Sequence, residues 1–366
     1  RWKTKDGRPT TRHGKGLRYQ GWLTVDGQER RGGSFPKKSD AEKKLIELES
    51  SVQRGAWVDP TDTTAVAEWM LMHAATLGHS ARTATRLEGF IRLHVEGTHF
   101  GGRQLNKVRP SEAQVWATDQ GKLSSPSTLT RLVGAVRTAF MAARADHLMA
   151  TDPFEAVALP AVEDVKIVPL TSDQVAAIAD NIGLRYRAIV IAQAGLGLRI
   201  GEVLALRLQD VDFMRRTVRV ENQIDQDTSE LIPPKTSRSR RSIPLLNAVA
   251  TELSAHIARC APSDLPRWEG LLFHTSVGTP FLRQDYRTRA FTGAVRKAAE
   301  NDLAFPVGTT PHDLRHYSAS VLLDAGESVV TVAELLGHRN AALVVRTYGH
   351  RMPTQEDRAR RAIGVR

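Results

Sequence analysis

Residues Thr309–Ser318 read TTPHDLRHYS. Pro311 suits the first turn of a helix, where its fixed φ is already helical and its missing N–H is not needed. From there His312 and Arg315, three apart, share one helix face, and His316 follows one turn after His312. Two chemistries fit such a cluster, a metal site or an anion site. The metal reading lacks further ligands and the HExxH signature, and an arginine inside the cluster would repel a cation. Phosphate is the better ligand, and the rest of the chain bears on that choice.

The chain has 366 residues, enough for two or three domains, and 41% are hydrophobic, which excludes wholesale disorder. No apolar run approaches the ~20 residues of a membrane span, so no membrane partner is expected. The opening residues from Arg1 show no signal-peptide pattern and no initiator methionine, as in a trimmed chain. One cysteine, Cys260, excludes an internal disulfide and a cysteine-based zinc cage. A cytoplasmic protein fits. The net charge of +11 implies a polyanionic partner, most often nucleic acid. Residues 1–58 carry 14 basic and 7 acidic side chains and are the most basic part; 59–162 balance at 10 and 10. A solvated basic surface is the plainer alternative.

Three segments follow. In GLRYQGWLTV, Leu17, Tyr19, Leu23 and Val25 fall on one strand face and Arg18, Gln20, Trp22 and Thr24 on the other. The turn at Asp26-Gly27 leads into QERRGGSF, a hairpin partner carrying Arg30 and Arg31, and Ser39 with Glu42 forms a capping box for a helix that Gly55 closes. Such a polar ribbon face fits a DNA major groove; a solvated sheet face is the alternative. After the linker Val58–Thr64, residues 66–159 are helical with breaks at GTHFGG and SSPST, a bundle of about four helices. One of them has Leu129, Leu132, Val133, Val136, Phe140 and Met141 as its core stripe. From Val165 onward helices and short strands mix.

In AGLGLRIGEVLALR, Gly195 and Gly197 interrupt a helix, and Arg199 stands where a new one begins near Ile200, with Glu202 one turn on to hold the guanidinium. An ordinary salt bridge is the alternative. LIPPKTSRSRRSIPL reads as an exposed hairpin tip with Lys235, Arg238, Arg240 and Arg241 as a basic patch, contacting DNA phosphate or only solvent. DAGESVVTVAELLGH has the pattern of a helix-turn-helix with Val332, Leu335 and Leu336 inward, a repressor-like reading. His338 ends it, and Tyr348 follows ten residues later.

In this order, Arg199, Lys235, the His312-x-x-Arg315 pair, LLGH with His338, and Tyr348, the chain resembles the tyrosine recombinase family of phage integrases, most closely those of actinobacterial temperate phages or integrative elements. The resemblance implies a multidomain protein. Residues 1–58 would be a small β-sheet plus helix module binding arm-type DNA sites, and 59–162 an all-α core-binding bundle. Residues 163–366 would be a mixed, mainly-α α+β catalytic domain with a C-terminal tail.

It further implies a site-specific recombinase acting through a 3′-phosphotyrosine, integrating and excising mobile DNA without cofactor or metal. Tyr348 would be the nucleophile, Arg199 and Arg315 the phosphate clamp, and His312 the base or a relay partner. Lys235 would be the acid and His338 a phosphate donor, with Glu202 and His316 as support behind them. The implied partners are double-stranded DNA with core-type and arm-type attachment sites, a homotetramer on that DNA, a host DNA-bending protein and an excision directionality factor. The setting would be the nucleoid of a bacterial host cell. A non-catalytic DNA-binding regulator and a type IB topoisomerase are the competing readings.

Overall fold

A computed structural model describes the chain except residues 1–5, 7, 9–16, 18, 26, 54–56, 60–61, 163–166, 235–238, 301, 303, 307, 339 and 349–366. It divides into two compact units, 1–164 and 165–366.

In the first unit β1 (Tyr19–Val25) and β2 (Gln28–Phe35) pair antiparallel, turning at Gly27, whose φ is +75°. Gly21 faces Gly33 and Trp22 faces Arg31, so Gly32 is an extra residue and the ribbon is bulged. Helix α1 (Lys38–Gln53) packs on both strands, with Leu23 and Ala41 buried. It starts before Ser39, so the expected capping residue lies inside the first turn; Gly55 lies outside the described residues.

Four helices then follow, α2 (Val66–Thr76), α3 (Ala81–Ile91), α4 (Pro110–Leu123) and α5 (Pro126–Ala145); the two expected breaks separate α3 from α4 and α4 from α5, while the break at 77–80 between α2 and α3 was not expected. Trp69, Phe100, Trp116, Phe140 and Phe154 form an aromatic centre, and the two indole N–H groups donate to Ala139 O and His94 O, each at 2.8 Å. The α5 stripe is buried as expected except for Met141, which is 45% exposed; Ala143, one turn after Phe140, continues the stripe instead. The segment read as a linker is tied down, because Asn106 Nδ2 donates to the carbonyls of Asp59 (3.1 Å) and Asp62 (3.3 Å).

The second unit opens with α6 (Ser172–Asn181), capped reciprocally by Thr171 and Gln174, and α7 (Leu184–Leu196), whose C-terminal half is mostly buried. Gly195 lies within α7 rather than breaking it. A Cβ there would come within 2.4 Å of Val249, so this glycine serves helix packing, and Gly197 (φ +63°) ends the helix. One short turn, α8 (Ile200–Val203), follows. A three-stranded sheet has the order β3 (Val211–Asp212), β4 (Thr217–Val220), β7 (Arg241–Pro244), while β5 (Gln223–Ile224) pairs with β6 (Leu231–Ile232). The hairpin turn is therefore 225–230, closed by Asp225 N to Glu230 O at 2.8 Å. β6 and β7 pair with β5 and β4 and not with each other; Lys235, expected at a hairpin tip, lies outside the described residues.

Next come α9 (Asn247–Arg259), α10 (Arg283–Asp285) and α11 (Thr292–Glu300), and then α12 (Pro311–Asp324), α13 (Val329–Leu336) and α14 (Ala341–Tyr348). The last three share a small core of Ala319, Leu323, Val332, Ala333, Leu336, Val344 and Tyr348. No helix among the described residues is long and apolar enough to cross a membrane.

Candidate active site

Helix α12 begins as its sequence predicts, with Pro311 in the first turn and Asp313 Oδ2 accepting from Thr310 N at 2.7 Å. This start points Arg315 inward, and only 2% of its surface is exposed. Its Nη1 donates to Gly197 O and its Nη2 to Leu336 O, both at 2.7 Å. Arg199, just before α8, donates Nη1 to Glu202 Oε1 (2.7 Å) and Nη2 to Gly337 O (3.0 Å). Arg241, the first residue of β7, donates Nη2 to Glu202 Oε2 (3.0 Å) and Nε to Leu335 O (2.6 Å).

Three successive carbonyls at the end of α13 thus each accept from a different arginine. Helix C-termini leave such carbonyls unpaired and carry partial negative charge, so they suit cations. The two glycines involved are required. Gly337 has φ +67° and a Cβ would lie 2.9 Å from Arg241 Nη1; at Gly197 a Cβ would lie 2.6 Å from Leu336.

The charges do not balance. Burial opposes the Glu202 carboxylate, yet Arg241 and Arg199 hold its pKa below the ordinary value. Burial, then the like charge of Arg199, pushes Arg315 down to about 9. Three guanidinium groups near one carboxylate leave an excess positive charge, Arg241 and Arg315 buried and Arg199 with its side chain 39% exposed, and a bound anion relieves it.

Beside them, His316 Nδ1 lies 2.5 Å from the Tyr348 hydroxyl, and the His312 ring meets His316 edge-to-face at 4.7 Å. Burial raises Tyr348 to about 12, against the opposing pull of Arg315. Burial lowers His316, with Asp313 opposing the shift and Arg315 adding to it. His338 is lowered to about 4 by burial and by Arg315 and Arg199; its Nδ1 is buried without a partner among the described residues. His312 is lowered by burial, His316 and Arg315, but the residue is exposed, so solvent weakens those interactions relative to the ones at His338. Among the described residues no three His, Cys, Asp or Glu side chains cluster as metal ligands.

Arg199, Glu202, His312, Arg315, His316, His338 and Tyr348 therefore come together. Two expectations change. Arg241, read as an exposed DNA-contacting cation, is inside, its side chain 7% exposed, because the buried Glu202 carboxylate and the carbonyls of Leu335 and Ser239 accept from its guanidinium. His316, read as support behind His312, is the residue in contact with the phenol. The i, i+4 repeat of the histidines was the available signal; nothing in the sequence marked Leu335, Leu336 or Gly337 as acceptors. Of the other expected contacts, Arg240 is exposed, as are Gln20, Trp22, Thr24 and Arg31 on one side of the β1–β2 ribbon, with Arg31 donating to Ser34 Oγ at 2.6 Å. Arg18 and Arg238 lie outside the described residues, as does the side chain of Arg30.

Residues 169–355, more than half of the chain, match the family model described as the phage integrase family. The chain belongs to that family. Membership makes it a tyrosine-type recombinase, an enzyme of site-specific DNA recombination. A XerC-like tyrosine recombinase of Caldanaerobacter subterraneus is 26% identical over 348 residues, covering 88% of each chain. The putative prophage phiRv2 integrase of Mycobacterium tuberculosis is 26% identical over 331 residues, covering 87% of this chain and 84% of that one. In fold the recombinase is similar to the integrase of transposon Tn1549 in complex with a circular intermediate DNA, with a TM-score of 0.72 at 24% identity over 82% of this chain and 99% of that one. That neighbour shares a mixed, mainly helical α+β fold.

Proposed function

We propose that this recombinase integrates and excises mobile DNA by transferring a DNA strand to Tyr348. The observation that carries the reading is the cationic excess of Arg199 and Arg315, held by main-chain carbonyls next to a buried phenol. The Tyr348 oxygen attacks the scissile phosphate in line, giving a 3′-phosphotyrosine and freeing a 5′-hydroxyl. The phosphoester is exchanged, so no nucleotide is hydrolysed. Arg199 and Arg315 take the charge that grows on the non-bridging oxygens, because a guanidinium stays protonated and presents fixed donors. A preorganised donor in a dry site is worth about 3 kcal/mol. His338 donates to the phosphate, His312 is a relay partner, Lys235 protonates the departing 5′-oxygen, and Glu202 orients Arg199.

Residues 1–58 serve as the arm-site module, with the ribbon face of Gln20, Trp22, Thr24 and Arg31 toward DNA; Arg18 and Arg30 are further DNA contacts of the same module. Residues 59–162 serve as the core-site module and 163–366 as the catalytic domain, with Arg238 and Arg240 near the DNA backbone. The working form is a homotetramer on double-stranded DNA in the bacterial cytoplasm, with a bending protein and a directionality factor assisting.

The test is covalent capture. The protein is incubated with nicked duplexes of randomised core sequence, and adducts are resolved on a denaturing gel and sequenced. A protease-sensitive adduct of defined sequence, absent in Tyr348→Phe, is the expected result. No adduct from the wild type favours the non-catalytic regulator, and relaxation of any supercoiled plasmid favours the topoisomerase.

A further inference from the structure

We propose that His316, and not His312, is the group that removes the proton from Tyr348 during strand cleavage. The inference rests on the strand-transfer reading above and assigns its least defined step. The geometry is direct: the hydroxyl oxygen that forms the new bond lies 2.5 Å from His316 Nδ1, while His312 packs T-shaped on the His316 ring and makes no hydrogen bond to the phenol among the described residues.

A phenol of reference pKa ~10 is a poor nucleophile at neutral pH, and burial here makes it poorer. It needs a nearby acceptor at the moment the phosphorus bond forms. His316 is suited to that part. Burial keeps its ring neutral, so with the ring proton on Nε2 the Nδ1 lone pair faces the hydroxyl. The charged groups around it are Asp313 and Arg315 of its own helix; His312 adjoins it and Tyr348 comes from α14. Asp313 favours the imidazolium that would form, and Arg315 stands ready to share the negative charge appearing on the phosphate.

The step balances. The Oη–H bond breaks and its proton passes to Nδ1 as Oη bonds to phosphorus. The bond from phosphorus to the 5′-oxygen breaks, and that oxygen leaves with the electron pair and takes a separate proton from Lys235. On rejoining, the 5′-hydroxyl gives its proton back to Lys235 as its oxygen bonds to phosphorus, the bond from phosphorus to Oη breaks, and the His316 imidazolium returns its proton to the leaving phenolate.

The experiment combines His316→Ala and His316→Asn with site-specific difluorotyrosine at position 348, which makes the phenol more acidic. Single-turnover cleavage of the captured duplex is measured for each, with DNA affinity as the control for folding. General bases contribute on the order of 100-fold or more, so both variants with ordinary tyrosine should cleave at least about 100-fold more slowly with affinity unchanged. Asparagine keeps an acceptor near the Nδ1 position without taking up a proton, so a structural role alone would leave His316→Asn active. With the acidic phenol the penalty should shrink to under about tenfold, because less proton transfer is needed. A penalty unchanged by fluorination, an active His316→Asn, or a faster His316→Ala would each overturn the inference while leaving strand transfer intact. Failure of the wild type to form any adduct would overturn the strand-transfer reading itself.

Discussion

Arg241 and Glu202 form a buried ion pair, Nη2 to Oε2 at 3.0 Å, with side chains 7% and 2% exposed. The same carboxylate holds Arg199 through its other oxygen at 2.7 Å. One acidic group thus connects β7 to Arg199 at the start of α8.

Replacing Glu202 by Gln should leave Arg199 and Arg241 close together without their shared counter-charge. Breaking a buried pair by removing one partner costs about 3–5 kcal/mol. A loss of that order in denaturant unfolding is expected, together with weakened cleavage; a variant as stable as the wild type would show that the pair is dispensable.

Gly337→Ala tests the helix end. Its positive φ and the 2.9 Å approach to Arg241 both resist a methyl group. A stability loss of about 1–3 kcal/mol is expected from the backbone alone, and single-turnover cleavage should fall more than DNA affinity does, because the arginines move while the other DNA-binding surfaces stay.

Acid should weaken the apo protein through His338. Its folded pKa, about 4, lies below the ordinary ~6.5 of an unfolded chain, so the unfolded state binds more protons between those values. Its contribution is full above ~6.5 and is lost as pH falls toward about 4. Thermal melts across that window should show a declining Tm, and His338→Gln should flatten the decline by about 1–2 kcal/mol, discounted for the part of the ring that water reaches.

Trp22, half exposed on the ribbon, should be replaceable by Ala with a stability change within about 0.5 kcal/mol. If that face contacts DNA, affinity for arm-type duplexes enriched from a random pool should fall while core cleavage persists. Equal affinity would leave the face as solvated surface.

The residues with distinctive chemistry were legible because their spacing constrains them: Pro311 opened a helix, His312 and Arg315 followed at three, and Tyr348 closed the order. The alternation of Gln20, Trp22 and Thr24 likewise foretold an exposed strand face. Arg241 was misread because it follows Arg238 and Arg240 in a run of cations, and composition cannot tell which member of a run turns inward. That depends on Glu202, 39 positions away, and on carbonyls that carry no sequence signature. Met141 was the one misplaced member of an otherwise correct stripe, since neighbouring residues on a helix differ by ~100° and Phe140 already filled the inward direction.

Because backbone oxygens of Leu335, Leu336 and Gly337 anchor the arginines, the outward side chains of that helix can drift without disturbing them. Length is another matter. Inserting or deleting a single residue inside α13 would hand every guanidinium the wrong oxygen at once, so this segment should tolerate substitution and refuse indels.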